Sequence, residues 1–273
     1  MKRMILAGVL ALSVSVTGLM AQKKPPAPKS QKEAEALQAM FTAQSADARI
    51  KAAEEVLNKF ADSEYKTVAT YLLAASYEEK GDWDKVVFWS ERTLQDDPKN
   101  FQALLMLASG IPKHAQEHDL DLEEKLARAD KYAKSAMETL AATEKPNPQL
   151  TDEQWANAKK DMNAQAHESF AISAQLRKKY DVAIAEFKLA TENVPDVDPT
   201  TELRLARVYN IAGKPDDAIA ILDKVSARPD LPVQLKQYAQ AERVRAVQAK
   251  GGAKPPAAPA APAATPAPAA PKQ

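Results

Sequence analysis

The residues HAQEH at 114–118 are the sharpest candidates for chemistry in this 273-residue chain. On one helix, His114 and His118 would stand a turn apart and could hold a zinc ion, with Glu117 between them to move a proton from a bound water. A catalytic zinc also needs a third protein ligand from another element and a surface to carry the substrate. The one other histidine, His167, falls where a helix usually packs a large side chain, so its expected role is structural. His114 and His118 are thus weak metal candidates. The competing reading is a solvated connector that follows Pro112 and runs into the acidic stretch DLDLEE.

Other reactive arrangements are missing. There is no cysteine, which excludes disulfides, thiolate metal sites and a thiol nucleophile. No G-x-S-x-G elbow occurs, and seven glycines form no phosphate-cradling loop. Carboxylates alternate with Lys and Arg, as in EEKLARAD, the pattern of solvated ion pairs four residues apart on a helix. No cofactor is expected. Formal charge is zero over the whole chain, yet residues 31–250 hold 30 basic and 37 acidic side chains. A body about seven units negative repels phosphate backbones, so nucleic acid is excluded as an expected partner.

The ends differ from the body. MKRMILAGVLALSVSVTGLMAQ has a basic start, an apolar run over 4–20 and a small residue at Ala21. It reads as a signal peptide over 1–21, with cleavage after Ala21 and export to the periplasm or cell envelope. An uncleaved anchor is the alternative, although the run is near the lower limit for a bilayer span. No cysteine follows it, so lipidation there is excluded, and no stable membrane insertion is expected after cleavage. A Pro/Lys-rich linker at 22–30 and a Pro/Ala-rich tail at 251–273 cannot bury a core and are expected to stay disordered and extended. The tail could span roughly 70 Å at about 3.1 Å per residue.

Between those ends glycine is scarce and Ala, Leu, Glu, Lys and Gln dominate, which favours helix. No stretch alternates β-branched or aromatic residues with polar ones between turn signals, so the body is expected to be all-α. Self-similarity then orders the helices. Residues 67–100 form a 34-residue unit with Leu73, Ala74, Tyr77, Gly81, Val86, Thr93 and Pro98 at its marked places. The register returns at 164–197 with Phe170, Ala171, Tyr180, Ala183, Phe187, Ala190 and Pro195, with Lys178 where glycine is usual. It returns at 199–232 with Leu205, Ala206, Tyr209, Gly213, Ala218, Leu222 and Val225. A small residue lets paired helices cross closely, Gly allows the tight turn and Pro stops the second helix.

This pattern resembles the tetratricopeptide repeat. The resemblance implies an all-α helix-pair solenoid, a right-handed superhelix, with units at about 31–66, 67–100, 101–145, 152–197 and 199–231 and a capping helix at 232–250. Thr70 and Ser90 replace the usual large residues. The 101–145 unit is expected to break at Gly110, Ile111 and Pro112, to carry a nine-residue insertion with HAQEH in it or just beside it, and to resume with a capping-box-like start at Asp121 and Glu124. Thr151 and Gln154 are expected to start a further helix, on which Trp155 anchors to the preceding unit. Asp198 and Pro199, then Lys214 and Pro215, are expected to start the last pair.

In this family the first helices of successive units line a concave groove that holds a peptide or a partner helix. Carried over by register, the groove positions are Tyr71, Ala75 and Glu78, then Leu105 and Ser109. The later units add Glu168, Ile172 and Gln175, then Leu203, Arg207 and Asn210. The family's Lys and Asn clamp for a carboxylate is absent, since Tyr71 and Ala75 stand at its first places. A mixed groove of this kind suits an amphipathic or mildly basic segment. The expected function is a non-enzymatic protein-binding scaffold or adaptor in the cell envelope. The alternatives are a zinc-dependent hydrolase built on His114, Glu117 and His118, or a spacer acting through its Pro/Ala tail.

Overall fold

A computed structural model describes residues 26–146, 149–192 and 194–251. The signal peptide expected at 1–21 and the tail beyond Gly251 lie outside the described residues, as does the start of the linker. Among the described residues there are eleven α-helices and no strand. They fall into two compact units that divide after Pro98.

The first unit holds α1 (Gln31–Thr42), α2 (Ala46–Lys59), α3 (Lys66–Lys80) and α4 (Trp83–Asp96). Ser30 and Ser45 cap α1 and α2 by accepting from Glu33 and Ala48 backbone N–H groups, donors that a helix start leaves without partners. Met40, Val56, Ala69, Leu73, Ala74 and Val86 are buried to 1% exposure or less. Thr70 and Ser90 are buried as well. Thr93 Oγ–H donates to Thr70 Oγ at 3.0 Å, tying α4 to α3 where the repeat usually packs bulk.

The second unit holds α5 (Phe101–His114), α6 (Leu122–Ala142), α7 (Asp152–Leu176), α8 (Tyr180–Thr191), α9 (Pro199–Ile211), α10 (Pro215–Ser226) and α11 (Val233–Lys250). Alanines sit at the crossings: Ala103 and Ala108 on α5, and Ala129, Ala133 and Ala136 on α6, are all fully buried, which lets the backbones approach. Phe187, Leu205 and Val208 fill the α7–α9 core, while Leu203, Leu222 and Val225 pack with Leu235 and Ala239 of α11. Each fully buried Leu contributes about 2 kcal/mol relative to exposure. Helix α11 closes this core, exposing Val233, Val244 and Val247 on its other side.

Several helix starts follow the sequence and one does not. Thr151 and Gln154 form a complete capping box, Asp198 accepts from Thr200 N–H ahead of Pro199, and Pro215 opens α10. Asp121 makes no capping hydrogen bond. Lys125, one turn on, draws its carboxylate away at 2.9 Å.

The expected break at Gly110, Ile111 and Pro112 is also corrected, because α5 continues through Pro112 to His114. Proline has no N–H to bond the carbonyl four residues back, so the Ala108 carbonyl loses its helical donor. Ser169 of α7, itself fully buried, donates its hydroxyl to that carbonyl instead. Trp155 is only half-buried on α7, with the Lys159 ammonium 5.2 Å from its ring centre, so it does not serve as the core anchor expected of it.

The turns within three pairs are alike. Asp82 N–H reaches back to the Tyr77 carbonyl, Lys179 to Ala174 and Lys214 to Tyr209. The residue before each has left-handed backbone: Gly81 at φ 72°, Lys178 at φ 60° and Gly213 at φ 70°. A Cβ added to Gly81 or Gly213 would meet no atom within 4 Å, so only backbone strain opposes a side chain there. Gly213→Ala is expected to cost about 1 kcal/mol, read by urea unfolding. Lys178→Gly relieves that strain and gives up only a solvent-exposed pair with Glu117, so it is expected to stabilise the protein, and an unfolding midpoint no higher than wild type would contradict that.

Candidate functional site

The HAQEH stretch does not assemble as a helical metal site. Helix α5 ends at His114 and residues 115–121 are irregular or turn, so the two imidazoles are not held one helical turn apart. His114 Nδ1 pairs with the Gly110 carbonyl at 3.0 Å. Glu117 pairs with Lys178 at the α7–α8 turn. The hydrogen bond and charge of that lysine, with His118 adding less, hold the Glu117 carboxyl below its ordinary range. Among the described residues no three His, Asp or Glu side chains come together as a metal-holding group. Alongside the Glu117 pair, Arg177 binds Glu123 at 3.0 Å and Asp130 at 2.7 Å. Lys178 therefore braces the inserted connector onto the end of α7, and its neighbour Arg177 ties that end to α6.

The groove positions divide by environment. On α3 in the first unit, Tyr71 and Ala75 are half-buried and Glu78 is exposed. Burial, with the Glu78 charge second, pushes the Tyr71 phenol up to about 12, so it stays a neutral hydrogen-bonding group. In the second unit Leu105, Leu203 and Glu168 are buried, whereas Ser109, Ile172, Gln175, Arg207 and Asn210 are half-buried. The latter five give polar and apolar surface from α5, α7 and α9.

Glu168 knits those three helices together. Lys113 of α5 lies 3.1 Å from one carboxylate oxygen, and Arg204 of α9 pairs with the other. Thr201 Oγ–H donates to that second oxygen at 3.1 Å. Burial pushes the Glu168 carboxyl up, but the attraction and hydrogen bonds of Lys113 and Arg204 outweigh it and hold the group below its ordinary value. Charge satisfied on both oxygens is what permits a carboxylate at this depth. Farther along, Asn210 donates to the backbone carbonyl and to the carboxylate of Glu242 on α11, each at 3.0 Å. Arg245 adds an ion pair to Glu242 at 3.2 Å. His167 is half-buried, with Nδ1 2.8 Å from Glu186 of α8.

One surface escaped the sequence reading. In the first unit an open cleft of about 480 Å³ runs along α2, α3 and α4, lined by Leu57, Ala61, Thr70 and the Phe88 and Trp89 rings. Phe88 is 61% exposed and meets Trp89 edge to face. Its register place belongs to the second helix of the pair, so a search for groove positions on first helices passes it by.

No protein-family model matches the chain, and no curated protein does. Among solved structures it is similar to a thermophilic TPR protein of Thermus thermophilus, with a TM-score of 0.52 and 18% identity. The match spans 78% of this chain and 99% of that one. At this identity the likeness is one of fold, and the fold of the chain is the tetratricopeptide-type helix-pair array.

Proposed function

With that helix-pair fold as premise, we propose that the protein is a non-enzymatic interaction scaffold of the cell envelope, holding a partner peptide or helix on the first helices of its pairs. The observation that carries this is the fold shared along most of the chain, since arrays of this kind present extended surfaces for protein partners. The half-buried positions Ser109, Gln175 and Arg207 offer polar groups beside the apolar Ile172, with Asn210 turned to Glu242 of α11, which suits an amphipathic segment. Export rests on the sequence of residues 1–21, outside the described residues. No helix among the described residues is long and apolar enough to cross a membrane.

Two measurements test this. Mass spectrometry of the protein from its own cells should find a mature chain beginning at Gln22, and retention of residues 1–21 in the cytoplasm would refute the envelope assignment. Cross-linked complexes captured from native envelopes should lose their main partner, by about tenfold or more, when Ser109 and Gln175 are both changed to Arg. Capture that survives this change but fails in a chain ending at Lys250 would move the function to the tail.

A further inference from the structure

The elbow between α2 and α3, residues 60–65, already holds a ligand of recognisable chemistry, the chain's own Pro26-Ala27-Pro28-Lys29. Tyr65 Oη–H donates to the Pro26 carbonyl at 2.7 Å, and Ala27 N–H donates to the Glu64 carboxylate at 3.2 Å. The Lys29 ammonium binds the Asp62 carboxylate at 3.0 Å and the Asp62 carbonyl as well. These contacts read a bare carbonyl, a bare N–H and one lysine. The proline after the alanine has a fixed φ that keeps such a segment extended and lowers the entropy lost on docking.

The same three residues recur once more in the chain, as Ala270-Pro271-Lys272. Laid on the elbow with Lys272 for Lys29, the tail would offer the Ala270 N–H to Glu64 and the Ala269 carbonyl to Tyr65, the same groups that residues 26–29 present to the elbow. The elbow is acidic, with Asp62 and Glu64, and Lys272 supplies the matching charge. The charged contact of the present occupant is weak, because Lys29 is 47% and Asp62 81% exposed and solvent screens such a pair, although the Lys29 N–H also donates to Glu33 at 2.6 Å.

We infer that the 60–65 elbow is a docking site for Ala-Pro-Lys segments and that the tail, through residues 269–272, is its second ligand, competing with residues 26–29. The test titrates a synthetic peptide of residues 265–273 into the full chain and follows the backbone amides of 60–65 by NMR. Those amides should shift, and the peptide should bind Lys29→Ala, in which the resident segment is loosened, about threefold or more tighter than wild type. Adding Asp62→Lys to that variant should abolish the shifts. Unmoved elbow amides in Lys29→Ala at millimolar peptide would overturn the proposal. So would equal shifts from a peptide carrying Lys272→Ala.

Discussion

Glu168→Ala should destabilise the protein by about 3 kcal/mol, the cost of leaving buried charge without its counter-charge. The side chains of Glu168 and Arg204 are only 10% and 11% exposed, and that of Lys113 is 24% exposed, so water cannot fully replace the lost carboxylate. Three helices from successive pairs meet at this one group, and its removal should loosen α5, α7 and α9 together. Urea unfolding measures the cost. Glu168→Gln separates charge from shape, since it keeps the volume and a hydrogen-bonding oxygen. If the Gln variant is as stable as wild type, the ion pairs contribute nothing and the description of this node fails.

The same group sets a pH dependence. The folded carboxyl titrates below its ordinary value of 4.5, so the unfolded chain takes up this proton first as the pH falls. The stability Glu168 contributes is therefore fully present above that value and is lost as pH drops through the lowered folded value. Wild type should lose stability more steeply than Glu168→Gln below pH 4.5, and parallel curves would contradict the assignment.

Ser169→Ala should cost about 2 kcal/mol, because it strands the Ala108 carbonyl in a buried site. Deleting one hydroxyl usually costs less, but here the acceptor has already lost its helical donor to Pro112. The cause can be isolated with a double-mutant cycle. In a Pro112→Ala background the residue 112 N–H is restored and can bond Ala108 within the helix, so Ser169→Ala should cost less than half as much. Equal costs in the two backgrounds would show that the serine acts by some other route.

These two features mark where sequence reading stops. Helix type, pairing and register were legible because they depend on local spacing: Ala74 and Ala206 at crossings, Gly81 and Gly213 at turns, Thr151 with Gln154 at a start. The register even located Lys178 at a place that demands left-handed backbone. Pro112 reads locally as a stop, and only Ser169, 61 residues away, lets the helix pass through it. Glu168 reads as a groove residue by register, yet Lys113 and Arg204 reach it from two other helices, and no local pattern announces that convergence. HAQEH suggested a metal because its spacing suits a helix, and the helix ends at its first residue. Asp121 missed its capping role for a comparable reason, since Lys125 competes for the same carboxylate.

The central claim is that partner protein is held on the first helices of the pairs. Its most direct test places a photo-cross-linking residue at position 175, on α7, or at position 138, an exposed site on the second helix α6, in the full chain expressed in its own cells. Illumination should give a discrete heavier adduct from position 175 and none from position 138. An adduct from 138 with none from 175 would contradict the claim.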